Sequence, residues 1–140
     1  MELHTLPQEA GAYVAVFGAH FQRIPVIHGR EIITGYRFGS AAYITDMSDL
    51  APESIALLQG LDILILDALR REPHPSHSHL DNSIRLVELL KPKRAYFTHM
   101  SHDLDHEATE AILPPYIRLA YDGLQLDFDI APAVNSEAAR

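Results

Sequence analysis

Apolar and polar positions along the chain change period several times, and each change marks a predicted element. Residues 13–17 and 22–27 are rich in β-branched and aromatic side chains and read as two strands, with Gly18 between them. Residues 31–38 and 41–45 form a predicted hairpin that turns at Gly39-Ser40. Pro52 in a first helical turn, with Glu53 near the positive end, predicts a helix that stops at Gly60. The run Leu61-Asp62-Ile63-Leu64-Ile65-Leu66 is almost unbroken in its apolar character, which predicts a strand covered on both faces.

Residues 70–78 then make a polar loop interrupted by Pro73 and Pro75. Ser78, with Asp81 three residues later, signals a helix start, and Leu80, Ile84, Val87 and Leu90 recur at helical spacing up to Lys91-Pro92. Residues 94–98 read as a short strand, and 106–112 as a weaker helix that ends at Pro114-Pro115. Residues 116–121 and 124–130 flank Asp122-Gly123, a hairpin signal. In the second arm Leu124, Leu126, Phe128 and Ile130 alternate with Gln125, Asp127 and Asp129, so one face is expected to be buried. The expected organisation is one domain over residues 1–130 and a flexible tail over 131–140. Strands come first and helix–strand alternation follows, which predicts a layered α/β fold.

Composition narrows the chemistry. A chain of 140 residues with 47% hydrophobic and 21% charged residues builds one globular domain. The net charge of -8 and the lack of a basic stretch argue against long nucleic acid as a partner. With no cysteine, disulfides, thiolate metal sites and cysteine nucleophiles are excluded. No apolar run approaches the ~20 residues of a membrane span, and the first residues do not read as a signal peptide, so a cytoplasmic protein with no membrane partner is expected. Nine histidines in so short a chain point to chemistry.

Their positions say which chemistry. His28, Asp46 and His99 each follow directly on a predicted strand, 22–27, 41–45 and 94–98. A lone histidine at a strand end is more often a hydrogen-bonded surface residue, and Asp46 near Ser48 suits a turn. Three such groups on one rim of a sheet, however, form a ligand set for zinc, manganese or iron. In the cluster His74-Pro75-Ser76-His77-Ser78-His79, a solvated metal-scavenging loop is the plain reading. The functional one places His77 beside the rim as a general acid or phosphate ligand. Of His99, His102 and His106, only His99 is expected to point into a site.

These residues carry a resemblance. Pro25-Val26-Ile27-His28-Gly29, Gly35-Tyr36-Arg37-Phe38 and Tyr43-Ile44-Thr45-Asp46 resemble the later half of metallo-β-lactamase-fold phosphodiesterases, in the branch with the cyclic phosphodiesterase of phosphonate breakdown. The similarity continues through residues 64–70, His74-Pro75-Ser76-His77, Thr98-His99-Met100-Ser101-His102 and Ala120-Tyr121-Asp122-Gly123. It implies the C-terminal half of an αββα sandwich, a mixed sheet with helices on its outer face. It implies that His28 completes the ligands of a first metal, that Asp46 bridges two metals and that His99 is the last ligand of the second. His77 matches the histidine that assists the leaving group, there and in the related tRNA 3′-processing endonuclease. A two-metal site of zinc or manganese would clamp a phosphate and supply a hydroxide at neutral pH.

The family's His-x-His-x-Asp-His signature is expected upstream of the matching segment, and the chain begins after that point. His77-Ser78-His79-Leu80-Asp81-Asn82 fits the first five places of that pattern but would leave His28 and Asp46 without a role. The expectation is therefore a partial site whose apolar sheet face is covered by a homodimer partner or by a chain supplying the other half, as a truncated gene product, a split enzyme or a remnant. The expected function is a metal-dependent hydrolase, a phosphodiesterase acting on a small cyclic or diester phosphate. The alternatives are a non-catalytic interaction module and a one-metal protein built from His28, Asp46, His99 and water.

Overall fold

The structure, a computed structural model, describes residues 5–16, 18–128 and 130; Phe17 and the tail proposed over 131–140 lie outside the described residues. Seven strands form one sheet in chain order: β1 (Tyr13–Val16), β2 (Ala19–His28), β3 (Glu31–Phe38), β4 (Ala41–Ile44), β5 (Ile63–Asp67), β6 (Arg94–Thr98) and β7 (Ile117–Leu119). β1 to β4 are an antiparallel meander, and β4 to β7 are parallel, so the sheet is mixed, as expected. Helices α1 (Pro52–Leu57), α2 (Leu80–Leu90) and α3 (His106–Glu110) make the three parallel crossovers. Successive right-handed crossovers stepping one way across a sheet must place their helices on the same face.

That face holds the main core. Ile24 and Val26, Ala42 and Ile44, Leu64 and Leu66, Ala95 and Phe97, and Ile117 and Leu119 alternate inward from five strands and pack with Leu58, Leu86, Val87 and Leu90. Buried serines pin two helices to strand carbonyls: Ser54 Oγ donates to Pro25 O (2.6 Å) and Ser83 Oγ to Asp67 O (2.6 Å). Their small side chains let the helices approach the sheet closely. Gly35 serves the same packing within the sheet, because a Cβ there would lie 2.6 Å from Ile44 Cδ1.

Two local expectations are corrected. Ser78 does not cap α2; it is buried and its hydroxyl meets Ser83 Oγ at 2.7 Å, while His79 takes the N-cap position without a side-chain cap. The turn at Asp122-Gly123 forms, with Leu124 N–H donating to Tyr121 O, but residues 124–128 pair with no strand. Leu124, Leu126 and Phe128 cross instead to the opposite sheet face and pack on Ala41, Ile63 and Tyr96. Their alternation did encode one apolar face; the face rests on a sheet rather than lying within one.

Candidate metal centre

Strand direction gathers the candidate ligands. Two antiparallel steps separate β2 from β4, and parallel steps lead on to β5 and β6, so these four strands run the same way. His28 and Asp67 end β2 and β5, while Asp46 and His99 lie just beyond β4 and β6, so all four share one rim. Ligands of open α/β sheets bind beyond such C-terminal strand ends. Asp46 (φ 57°) and His99 (φ 58°) both leave their strands in left-handed backbone. Asp and His tolerate that region better than most residues, at a cost on the order of 1–3 kcal/mol each.

His28 Nδ1 lies 2.6 Å from the carbonyl oxygen of Asp46. A carbonyl only accepts, so His28 donates from Nδ1, the contact that an outer partner makes with a metal-binding imidazole whose Nε2 is the ligand atom. His77 enters from the loop before α2, its Nε2 3.4 Å from Asp46 Oδ1, and His99 Nε2 is also 3.4 Å from that oxygen. One ligand atom from each of Asp46, His77 and His99 lies within 4.8 Å of the other two. The His77 ring stacks on His99 (centroids 5.0 Å apart, planes at 11°) and meets His28 edge-on at 5.0 Å. Burial holds the His77 pKa below its ordinary value; the Asp46 carboxylate opposes this, and the His99, His28 and His74 imidazoles reinforce it.

All four residues singled out in the sequence meet at this rim, but His77 rather than His28 completes the tight group with Asp46 and His99. His102 and His106 are exposed, and His102 faces Asp103. The lookalike sextet does not converge: His77 faces the rim, Ser78 is buried, His79 sits at the N-cap position of α2 and Asp81 is exposed.

Asp67 was missed by the sequence reading, which saw only the apolar run before it. Its side chain is fully buried, and neither carboxylate oxygen has a hydrogen-bond partner among the described residues. Burial pushes its pKa up to about 7, and the Asp46 charge adds to the rise. The main-chain amides of Met47 and Ser78 lie close enough to oppose it without forming well-aligned hydrogen bonds.

The family model of the beta-lactamase superfamily domain matches residues 1–100. The chain belongs to this superfamily. A diphosphatase of the PhnP family is 55% identical in its crystal structure, with a TM-score of 0.85 over 89% of this chain and 49% of its own. Zn(2+)-bound PqqB from Methylobacterium extorquens shares the fold at a TM-score of 0.61 and 19% identity, over 86% of this chain and 51% of its own. An octanoyltransferase from Porphyromonas gingivalis is 37% identical over 106 residues, 74% of this chain and 22% of that protein. The chain thus spans about half of the diphosphatase and about a fifth of the octanoyltransferase. The fold is that of the metallo-β-lactamases, whose relatives depend on metal ions. Two imidazoles and a carboxylate at one rim fit that dependence in donor chemistry and proximity.

Proposed function

We propose that this chain carries part of a metal-dependent phosphodiesterase site that cleaves a small cyclic or diester phosphate. The observation that carries the reading is the meeting of His28, Asp46, His77 and His99 at one rim in a chain 55% identical to a PhnP-family diphosphatase. His28 through Nε2, Asp46 and His99 would hold zinc or manganese, with further ligands from a second layer. When bound, the metals supply a nucleophilic water at neutral pH and offset charge on the phosphate oxygens. His77, once protonated, donates from Nε2 to the departing oxygen. The diphosphatase favours a second substrate class, a phosphoanhydride, in which the leaving group is itself a phosphate.

The second layer would rest on the sheet face opposite the helices. On that face Leu124, Leu126 and Phe128 already cover Ala41, Ile63 and Tyr96, and the part left open includes Ile32 and Tyr43, 60% and 44% exposed. The occupant we propose is the sheet layer that fills the rest of the diphosphatase fold; a homodimer is the competing outcome.

The test mixes the purified chain with a polypeptide corresponding to the remaining half of the diphosphatase, in Zn2+ or Mn2+. Substrates are an aryl phosphodiester, an alkyl phosphodiester and a phosphoanhydride. Hydrolysis is expected in the mixture and lost in Asp46→Ala. His77→Asn should slow the alkyl ester far more than the aryl ester, whose leaving group needs no proton. Hydrolysis of all three by Asp46→Ala at the full rate would sink the proposal.

A further inference from the structure

We infer that a cleft between the end of α1 and the first three strands binds a compact oxyanion, a carboxylate or phosphate group, with Arg37 as its cationic anchor. The cleft encloses about 370 Å³ and is lined by Tyr13, His20, Gln22 and Arg37 from the sheet and by Ala56 and Leu57 from α1. The phosphodiesterase reading uses none of these residues. From Gln22 to His28 the strand advances six residues, about 20 Å at ~3.3 Å each, so the cleft lies toward the opposite end of the sheet from the rim.

Strand register builds its polar floor. Tyr13 pairs with Gln22, Gln22 with Arg37 and Arg37 with Ala42, so the four side chains form one row. Ala42 belongs to the core between sheet and helices, which puts the row on the helix side. His20, two residues before Gln22, shares that face. The row is apolar at Ala42 and polar from β3 out to β1.

Arg37 is held in place before any ligand arrives. Its Nε–H donates to Gly39 O at 3.1 Å, and Nη1 donates to Leu57 O at 2.6 Å and Gln59 O at 2.9 Å. These carbonyls lie in the β3–β4 turn and at the end of α1, where helical partners run out, so capping accounts for three of the five guanidinium donors. It does not account for Nη2, which makes no hydrogen bond among the described residues. No aspartate or glutamate lines the cleft. A second cleft, at the starts of β5 and β6, differs in that respect: its Lys93 is held by Asp62 at 2.7 Å, and Asp127 lines it too. In a chain of net charge -8, a half-buried guanidinium with one open end and no facing carboxylate suits an anion from solution. The Tyr13 hydroxyl, His20 imidazole and Gln22 carboxamide offer it further hydrogen bonds. Such a lining favours a small hydrophilic acid over one with an alkyl tail.

The test uses the whole chain freed of metal on a chelating resin, so that no ion at the rim captures the probe. NMR shifts are followed in titrations with inorganic phosphate, ribose 5-phosphate, glycolate and hexanoate at constant ionic strength. Signals of Tyr13, His20, Gln22 and Arg37 should saturate with a Kd of about 1 mM or tighter for a phosphate or for glycolate, and the tighter of the two names the head group. Hexanoate should bind more weakly than glycolate. Arg37 also holds α1, so the decisive variant is at exposed His20. His20→Glu sets a carboxylate diagonally across from Arg37, within reach of a long side chain, and should weaken binding roughly tenfold or more, the worth of a charged hydrogen bond. Gln125→Glu, which adds the same charge at an exposed position outside the cleft, should leave it almost unchanged. The inference is overturned if no hydrophilic anion gives a saturable shift in the cleft, if the shifts are confined to the rim, or if His20→Glu binds as tightly as Gln125→Glu.

Discussion

Asp67 offers the sharpest energetic test of the rim. Its carboxyl group is buried without a well-formed hydrogen bond, and its pKa rises from 3.8 to about 7 on folding. A carboxylic acid whose pKa is raised by folding opposes stability where the unfolded chain is ionised. Below about pH 4 both states hold the proton and Asp67 contributes no pH dependence. As pH climbs from there, the unfolded chain releases a proton that the folded chain keeps, and stability falls by up to about 1.4 kcal/mol per pH unit. Above about pH 7 both states are ionised and the full penalty stands, about 4 kcal/mol, a large fraction of the ~5–15 kcal/mol that holds a domain together. Asp67→Asn keeps the shape and removes the ionisation. Urea unfolding of both proteins from pH 4.5 to 8.5, with a chelator present, should show the variant gaining on the wild type up to about pH 7 and then holding a constant lead. The other titrating groups cancel in the difference, since the two chains share them. A difference that does not change with pH would refute the reasoning, because Asp67 would then ionise as easily inside the fold as outside it.

Gly35→Ala should destabilise by roughly 1–3 kcal/mol in the same unfolding assay, since the new methyl would meet Ile44 Cδ1 at 2.6 Å and Val26 Cγ2 at 3.1 Å. Ser54→Ala leaves the Pro25 carbonyl without its 2.6 Å donor and should cost about 1–3 kcal/mol. Lys91 closes α2 with φ at 50°, where a side chain is strained, so Lys91→Gly should leave stability unchanged or raise it by up to about 1 kcal/mol, read as a shift in the thermal midpoint.

Much of the fold was legible because local pattern and tertiary role agreed. The unbroken run 61–66 became a parallel strand covered by helices on one face and partly by Leu124, Leu126 and Phe128 on the other. Leu80, Val87 and Leu90 face the core as their spacing requires, with Ile84 packed at its edge. Three rim residues were legible for a topological reason: a residue just past a strand points to the rim once strand direction is known, and Asp46, His28 and His99 all met that condition. Asp67 was not, since a single carboxylate ending an apolar run looks the same whether it is buried or exposed. Ser78 was misread because a serine three residues before an aspartate fits a capping box, while its buried contact with Ser83 arises only when α2 docks on β5. The direct approach of His77 to Asp46 was equally hidden, because the loop path from Arg70 to His79 is set by main-chain bonds such as Ser78 N–H to Met47 O and Leu69 N–H to Ser78 O.

Those bonds also say what the rim needs from its surroundings. Ala68 N–H donates to Thr98 O at 3.0 Å, just before His99, and Ser48 N–H to Ile27 O at 2.7 Å, joining the segments after β4 and before His28. These bonds lie over the core between sheet and helices. The ligand-bearing backbone is thus bonded through the described residues. On the proposed reading, a layer docking on the opposite face would bring further ligands to this rim. For that reason the metal content of the whole chain, wild type set against Asp46→Ala, reads the site before any partner is identified.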